Sequence, residues 1–438
     1  MSRTRIVVVG LATVLALLAA GLAGASTSSH AKQSHVSAVS GTITFDGIWT
    51  GAEAKSFGAV ISAFNKTYPN VKIKYKPVGN NIPTVLGTAV AGGHPPDMAD
   101  IAQPGLVKQF ATTKKLKPID YAKGSMSANF APVWSQLATF NGHLYGVLFK
   151  ASNKSTYWYN VPAFKQAGVT APKTWTKLLA AAKTIKASGT PAYSIGAADG
   201  WTLTDMFENI YLRTAGPAKY AALTAHKIKW TDPTVITALK DMAKVIGDTS
   251  NIAGGTSGAL QTNFNSSVTN AFATPPKAAI VFEADFVAGV ILSSTKAKPN
   301  TGFNVAPFPA ITTASDGVEV AGDTLVTFRD TPAIRAFVKF LTTPAAAQAW
   351  AKLGGFATGN NKLNPSVYPD PITRSTAVPI SKAKTVVFDM SDQQPSAFGG
   401  TTGQGEWGIF QDFVKKPSNV NGIAAALEKA AAAAYKGK

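Results

Sequence analysis

The residue pattern predicts an α/β protein, and three observations carry that expectation. Phe57, Val60, Ile61 and Phe64 recur at the i, i+3, i+4, i+7 spacing of an amphipathic helix. That stripe lies between two extended segments, 42–48 and 71–76, and in the second of these apolar and charged residues alternate as on a half-buried strand. Strand, helix and strand in succession make a right-handed βαβ unit with a parallel sheet. Further on, helices announce their starts with a capping residue followed by proline, at Asp232-Pro233, Thr331-Pro332 and Thr343-Pro344.

The other elements follow in order. The folded part begins near Gly41, and Tyr68-Pro69-Asn70 ends the first helix. Residues 82–91 read as a helix and 97–101 as a short strand. Thr174 caps a helix that runs through Leu178, Leu179 and Ile185 and stops at Gly189. The apolar run 278–282 reads as a strand, 409–414 as a helix, and alanine-rich 423–435 as a terminal helix. Helices dominate and strands are short. There is no fixed-period repeat and no low-complexity linker after the first 40 residues, so a division into lobes has to be interwoven.

Composition narrows the function. The 438 residues are enough for two or three domains, and 45% hydrophobic with 10% aromatic content excludes a disordered or fibrous chain. The absence of cysteine excludes disulfides, thiolate metal sites, a cysteine nucleophile and a cysteine-linked lipid anchor. The net charge of +19 first suggests nucleic acid or an anionic membrane. The basic residues are scattered, however, and charged residues are only 15% of the chain. The excess therefore reflects few acids, and no nucleic-acid partner is expected.

Arg3 and Arg5, an apolar run from Ile6 to about Leu22, and Ala23-Gly24-Ala25 form a secretory signal, residues 1–25. Cleavage is expected after Ala25, with Ser29-His30-Ala31 as a second exit and an uncleaved anchor as the alternative. Residues 26–40 read as a flexible lead-in.

Catalytic motifs are mostly missing. His30, His35, His94, His143 and His226 form no zinc-helix pair, so no metal and no cofactor is expected. The segment 403–408 matches G-x-G-x-x-G, but no apolar strand precedes it. Residues 192–196 approximate a nucleophile elbow without its first glycine. Glu283 and Asp285, two apart at the end of an apolar run, raise the possibility of a glycoside hydrolase. Asp199, Asp205 and Glu208 gather around Trp201. Carboxylates beside aromatic rings equally suit non-catalytic sugar binding, because ring faces stack on pyranoses while carboxylates accept from hydroxyls. With no other hydrolase signature, binding is the preferred reading.

Several segments together resemble the extracellular solute-binding proteins of ABC importers, in the family that binds carbohydrates, and are similar to α-glucoside and oligosaccharide binders. The carrying segments are 49–53 (WTGAE), 96–105 (PDMADIAQPG), 142–150 (GHLYGVLFK), 158–160, 164–169 with 172–175, 200–205 (GWTLTD), 282–286 (FEADF) and 354–356 (GGF). Their order and spacing cover nearly all of 41–438.

The resemblance implies a two-lobed periplasmic-binding-protein fold, maltose-binding-protein-like, with three interlobe crossings and a central cleft. Crossings are expected near 147–150, 301–308 and 346–353. One lobe would be 41–148 plus 306–348, the other 149–305 plus 349–438. The implied carbohydrate contacts are Trp49, Glu53, Gln103, Lys150, Asn153 and Trp201, with Asp205, Glu283, Asp285, Asp323, Phe356 and Trp407. The implied partners are a carbohydrate ligand and the permease subunits in the membrane, the chain itself acting as a monomer. A polyamine-type ligand on the same fold is the other alternative to hydrolysis. Gram-positive members usually carry a lipobox cysteine; its absence here implies a periplasmic or freely secreted protein, or an uncleaved anchor. Some relatives place glycine where this chain has Ala284.

Overall fold

Side-chain alternation sets the first strand. In GTITFDG, Ile43, Phe45 and Gly47 are buried while Thr42 and Thr44 are exposed. The computed structural model describes residues 38–312, 317–382 and 386–436; the expected signal segment 1–25 and most of the lead-in lie outside them.

Eleven strands form among the described residues: β1 Gly41–Gly47, β2 Val71–Pro77, β3 Met98–Ile101, β4 Thr139–Phe140, β5 His143–Leu144, β6 Gly146–Asn153, β7 Thr156–Asn160, β8 Ile280–Phe282, β9 Phe303–Pro307, β10 Glu319–Thr327 and β11 Val387–Phe388. The expected βαβ unit is present, with β1 parallel to both β2 and β3. A six-stranded sheet runs in the order β11-β10-β3-β1-β2, with β6 also paired to β10. It is mixed rather than parallel, because β10 runs antiparallel to β3 and to β6. A three-stranded antiparallel sheet has the order β8-β7-β9, and β4-β5 is a separate hairpin.

The caps read from sequence form as expected. The side chains of Thr174, Asp232, Thr331 and Thr343 accept from backbone N–H groups of the first turn of their helices. Each cap satisfies one orphan donor, a contribution of about 1 kcal/mol.

Two large apolar cores organise the chain. In the first, Phe45, Phe57, Phe64, Phe337 and Trp350 pack between the six-stranded sheet and the helices Gly51–Asn65, Pro332–Leu341 and Pro344–Ala351. In the second, Trp175, Tyr193, Phe207, Tyr211, Trp230 and Phe410 pack together. Full burial of each such ring contributes about 1.5–3 kcal/mol.

The first expected crossing, 147–150, falls in β6 of the six-stranded sheet, and the second, 301–308, overlaps β9 of the three-stranded sheet. The third differs. Residues 344–351 are helical, started by Thr343 and Pro344, and pack on the Gly51–Asn65 helix. Trp350, Phe356, Tyr368, Ile380 and Phe388 all join the first core, and Met390 is in the second. Most of 349–388 therefore packs with the first core rather than the second. Among the described residues no helix is long and apolar enough to cross a membrane.

Candidate functional site

The carboxyl ends of β1 and β3 open onto one cavity of about 260 Å³, the location where parallel strands place ligand groups. Trp49 and Glu53 follow β1, and Gln103 follows β3. Lys150, Ser152 and Lys154 line it from β6 and its extension, every second residue, as strand alternation dictates. Asp323 of β10 sits opposite Lys150 at a register shift. The rest of the lining is Asp199, Trp201 and Asp205 at the start of the Trp201–Thr224 helix, Asn263 to Asn265, Phe286, Asp389, Ser391, Asp392 and Trp407.

Two lysines anchor the electrostatics. Lys150 Nζ lies 3.0 Å from Glu53 Oε1 and 3.4 Å from Asp323 Oδ2, and 4.9 Å from the centroid of the Phe286 ring. Burial alone would lower the Lys150 pKa, but Glu53 and Asp323 outweigh it and hold the ammonium above the ordinary lysine range. Lys154 Nζ lies 2.8 Å from Asp205 Oδ2 and 2.8 Å from Asp389 Oδ2, and 5.3 Å from the Trp201 ring centroid. It is raised for the same reason, Asp205 and Asp389 overcoming desolvation.

Acids concentrate here. Glu53, Asp199, Asp205, Asp323, Asp389 and Asp392 line the cavity. Asp100, Glu208, Glu283, Asp285, Glu319 and Glu406 are buried close enough to couple electrostatically to these acids or to the two lysines. These twelve are about half of the chain's 23 acidic residues. Burial pushes Asp205 up to about 6 despite Lys154, and Asp285 up to about 7 despite Lys150. Burial and then the Asp389 and Asp323 charges, respectively, push Asp392 and Asp100 well above the carboxylate range. Asp205, Glu319 and Asp389 each bring one oxygen within 4.8 Å of the others, and the Lys154 ammonium supplies the positive charge beside Asp205 and Asp389.

Some polar atoms of the wall are left over. The Trp201 and Trp407 indole N–H groups and the Gln103 Oε1 are buried and unpaired. Trp407 is 3% exposed and Gln103 3%. Trp407 is held against Gly200, whose φ is +81° and where an added Cβ would stand 2.7 Å from the Trp407 Cβ.

Eight of the expected residues thus share one cavity: Trp49, Glu53, Gln103, Lys150, Trp201, Asp205, Asp323 and Trp407. Four do not line it. The Asn153 side chain accepts from Ser155 N–H, having the opposite strand parity to Lys150. Asp285 accepts from Asn153 N–H at 3.2 Å behind the wall. Glu283 lies buried beside Asp205. Phe356 stacks on Trp350 in the first core. The residues that sequence reasoning missed are chiefly Lys154, Asn80, Phe264, Asp389 and Asp392; for Lys154 the period of two from Lys150 was a usable signal.

A second groove of about 440 Å³ adjoins the cavity and shares Thr50, Glu53, Asn265 and Phe286 with it. Gly289 and Gly355 meet within it so closely that a Cβ on Gly355 would stand 2.7 Å from the Gly289 Cα.

Comparison with known proteins gives a consistent result. Residues 49–348 match the family described as bacterial extracellular solute-binding protein. The osmoprotective compounds-binding protein GgtB of Synechocystis sp. is 30% identical over 367 residues, covering 82% of this chain and 86% of that protein. The alpha-glucosides-binding periplasmic protein AglE of Rhizobium meliloti is 30% identical over 402 residues, covering 89% and 86%. Among solved structures, the bacterial solute receptor AcbH, described as preferring β-D-galactopyranose, superposes with a TM-score of 0.78 at 19% identity, covering 90% of this chain and 99% of that one. Maltose-bound MalE3 of T. maritima gives 0.66 at 19% identity, covering 89% and 98%. At these identities the structural likeness is one of fold: two α/β lobes around a cleft.

Proposed function

The chain belongs to the bacterial extracellular solute-binding protein family, and from that premise we propose that it captures an α-glucoside or short oligosaccharide in the cleft and delivers it to the permease of an ABC importer. The observation that carries the sugar reading is the wall itself. Rings of Trp201, Phe286 and Trp407 stand beside carboxylates, with an indole N–H and an amide oxygen buried and unpaired. A buried polar group without a partner costs about 1–3 kcal/mol. A ligand rich in hydroxyls satisfies donors and acceptors together, and its apolar ring face covers the aromatics. The adjoining groove supports a ligand longer than one sugar ring.

Binding without turnover is the favoured reading, because Glu283 and Asp285 do not line the cavity where a glycosidic bond would lie. The relatives named for their activity are binding proteins. We read residues 1–25 as an export signal that is removed, and the mature chain as a monomer; N-terminal sequencing of the exported protein and light scattering test these two points.

The deciding experiment is isothermal titration with maltose, trehalose and longer oligosaccharides, followed by chromatography of the recovered sugar. Saturable binding with intact sugar recovered is the expected result. Release of new reducing ends overturns the non-catalytic reading. Binding of no sugar, with clear binding of another ligand class, overturns the carbohydrate reading.

A further inference from the structure

Resting on the carbohydrate reading above, we infer that the cavity selects a sugar bearing a protonated amine over its neutral or carboxylate counterpart. The chain has 42 basic residues against 23 acidic ones, yet six acids and two lysines line this cavity. The cleft is an acidic enclave in a basic protein, and a cleft with low-dielectric walls focuses such a field on what enters it.

The wall already holds an ammonium in two places, by the same means each time. Lys150 sits between the carboxylates of Glu53 and Asp323 with its Nζ over the Phe286 ring. Lys154 sits between Asp205 and Asp389 with its Nζ over the Trp201 ring. Two cavity carboxyl groups have no ion-pair partner among the described residues. Asp199 receives the Phe264 N–H at 2.7 Å and pairs with no basic group. Asp392 makes no side-chain hydrogen bond or ion pair among the described residues.

An independent observation points the same way. Gln103 lines this cavity, and its buried Oε1 accepts from nothing among the described residues. With the Asp199 and Asp392 carboxyl groups it gives the cavity three acceptors that have no ion-pair partner among the described residues, beside the two indole donors. An ammonium offers three donors and no acceptor, whereas a carboxylate offers acceptors only and adds a like charge. Hydroxyls elsewhere on the same sugar still accept from the unpaired Trp407 indole N–H. The chemical class that fits is therefore an amino sugar or an amine-substituted glycoside.

The test is titration calorimetry on the full chain at pH 7 with maltose and with trehalose, each in three forms: unmodified, 6-amino-6-deoxy, and 6-uronate. Spermidine, a cation with no sugar, is a fourth probe. The amino form is expected to bind at least tenfold more tightly than the unmodified disaccharide, and the uronate at least tenfold more weakly. In Asp199→Asn, which keeps an acceptor for the Phe264 N–H, the amine-to-neutral ratio is expected to fall several-fold. Should that variant fail to fold, the wild-type ratio decides the matter alone. Unmodified disaccharide binding as tightly as its amino form overturns this inference and leaves the carbohydrate reading intact. Spermidine binding with no disaccharide bound in any form overturns both, and the binding of none of these probes overturns this inference.

Discussion

The Trp49 indole N–H donates to Asp323 Oδ2 across 2.7 Å, joining residues 274 positions apart. Trp49 is 1% exposed and packs edge-on against Trp350, so this bond ties the first core to the cavity wall. The same Asp323 oxygen stands 3.4 Å from Lys150 Nζ. Asp323→Ala orphans the indole and removes one of two counter-charges from a buried lysine. A loss of about 1–3 kcal/mol is expected in urea unfolding. Asp323→Asn keeps an acceptor for the indole and should lose less; equal losses for the two variants would show that the bond does not matter.

Lys154 is the ion-pair partner shared by Asp205 and Asp389. Breaking a buried ion network by removing one member costs about 3–5 kcal/mol, because uncompensated charge stays behind. Lys154→Met is therefore expected to destabilise strongly at pH 8 and much less at pH 5, because burial raises the Asp205 and Glu283 carboxyls beside it. Chemical unfolding at both pH values checks this, and a pH-independent loss refutes it.

Stability of the unmodified protein should also fall from pH 5 to pH 8. A carboxyl whose pKa is raised by folding binds its proton more tightly in the native chain. Its contribution is complete below the unfolded value near 4 and is lost as pH rises through the folded value. Asp205 at about 6 and Asp285 at about 7 set that window. Asp285→Asn cannot ionise and still offers an oxygen to the Asn153 N–H. It should shrink the difference between pH 5 and pH 8 by on the order of 2–4 kcal/mol. Thermal scans across pH measure it; a Tm that climbs with pH would falsify the account.

The Trp407 N–H has no partner among the described residues. Trp407→Phe therefore breaks no internal hydrogen bond but withdraws a donor from the ligand. Sugar affinity is expected to fall about tenfold, the equivalent of about 1.4 kcal/mol, while the unliganded Tm moves little. Unchanged affinity in calorimetry would remove Trp407 from the contact set.

Much of the fold was legible because it repeats locally. The Phe57–Phe64 stripe, the alternation of 71–76 and the proline-marked caps each occupy one short window. β10 was not read as a strand. Its sequence EVAGDTLVT is buried along nearly its whole length, so neither alternation nor an amphipathic stripe marks it. At the site, Trp49 and Gln103 were readable because they follow strand ends directly. Asp389 and Asp392 were not, since only the long-range pairing of β11 with β10 brings them to the cleft. Asn153 was chosen one residue short of Lys154, a parity error that period-two counting corrects. Glu283 and Asp285 were placed in the right neighbourhood but lie behind the wall.

The gathering of acids inside the cleft also changes what the outside of the molecule presents. With about half of the negative side chains enclosed, the exterior is more cationic than the formal total of +19 conveys. Toward anionic polymers or a cation-exchange resin the protein behaves as a polycation with its counter-charge hidden, and its retention weakens steeply as salt is added. Adsorption and ligand capture are thus carried by opposite charges on separate surfaces, and salt can release the first while leaving the second largely unscreened.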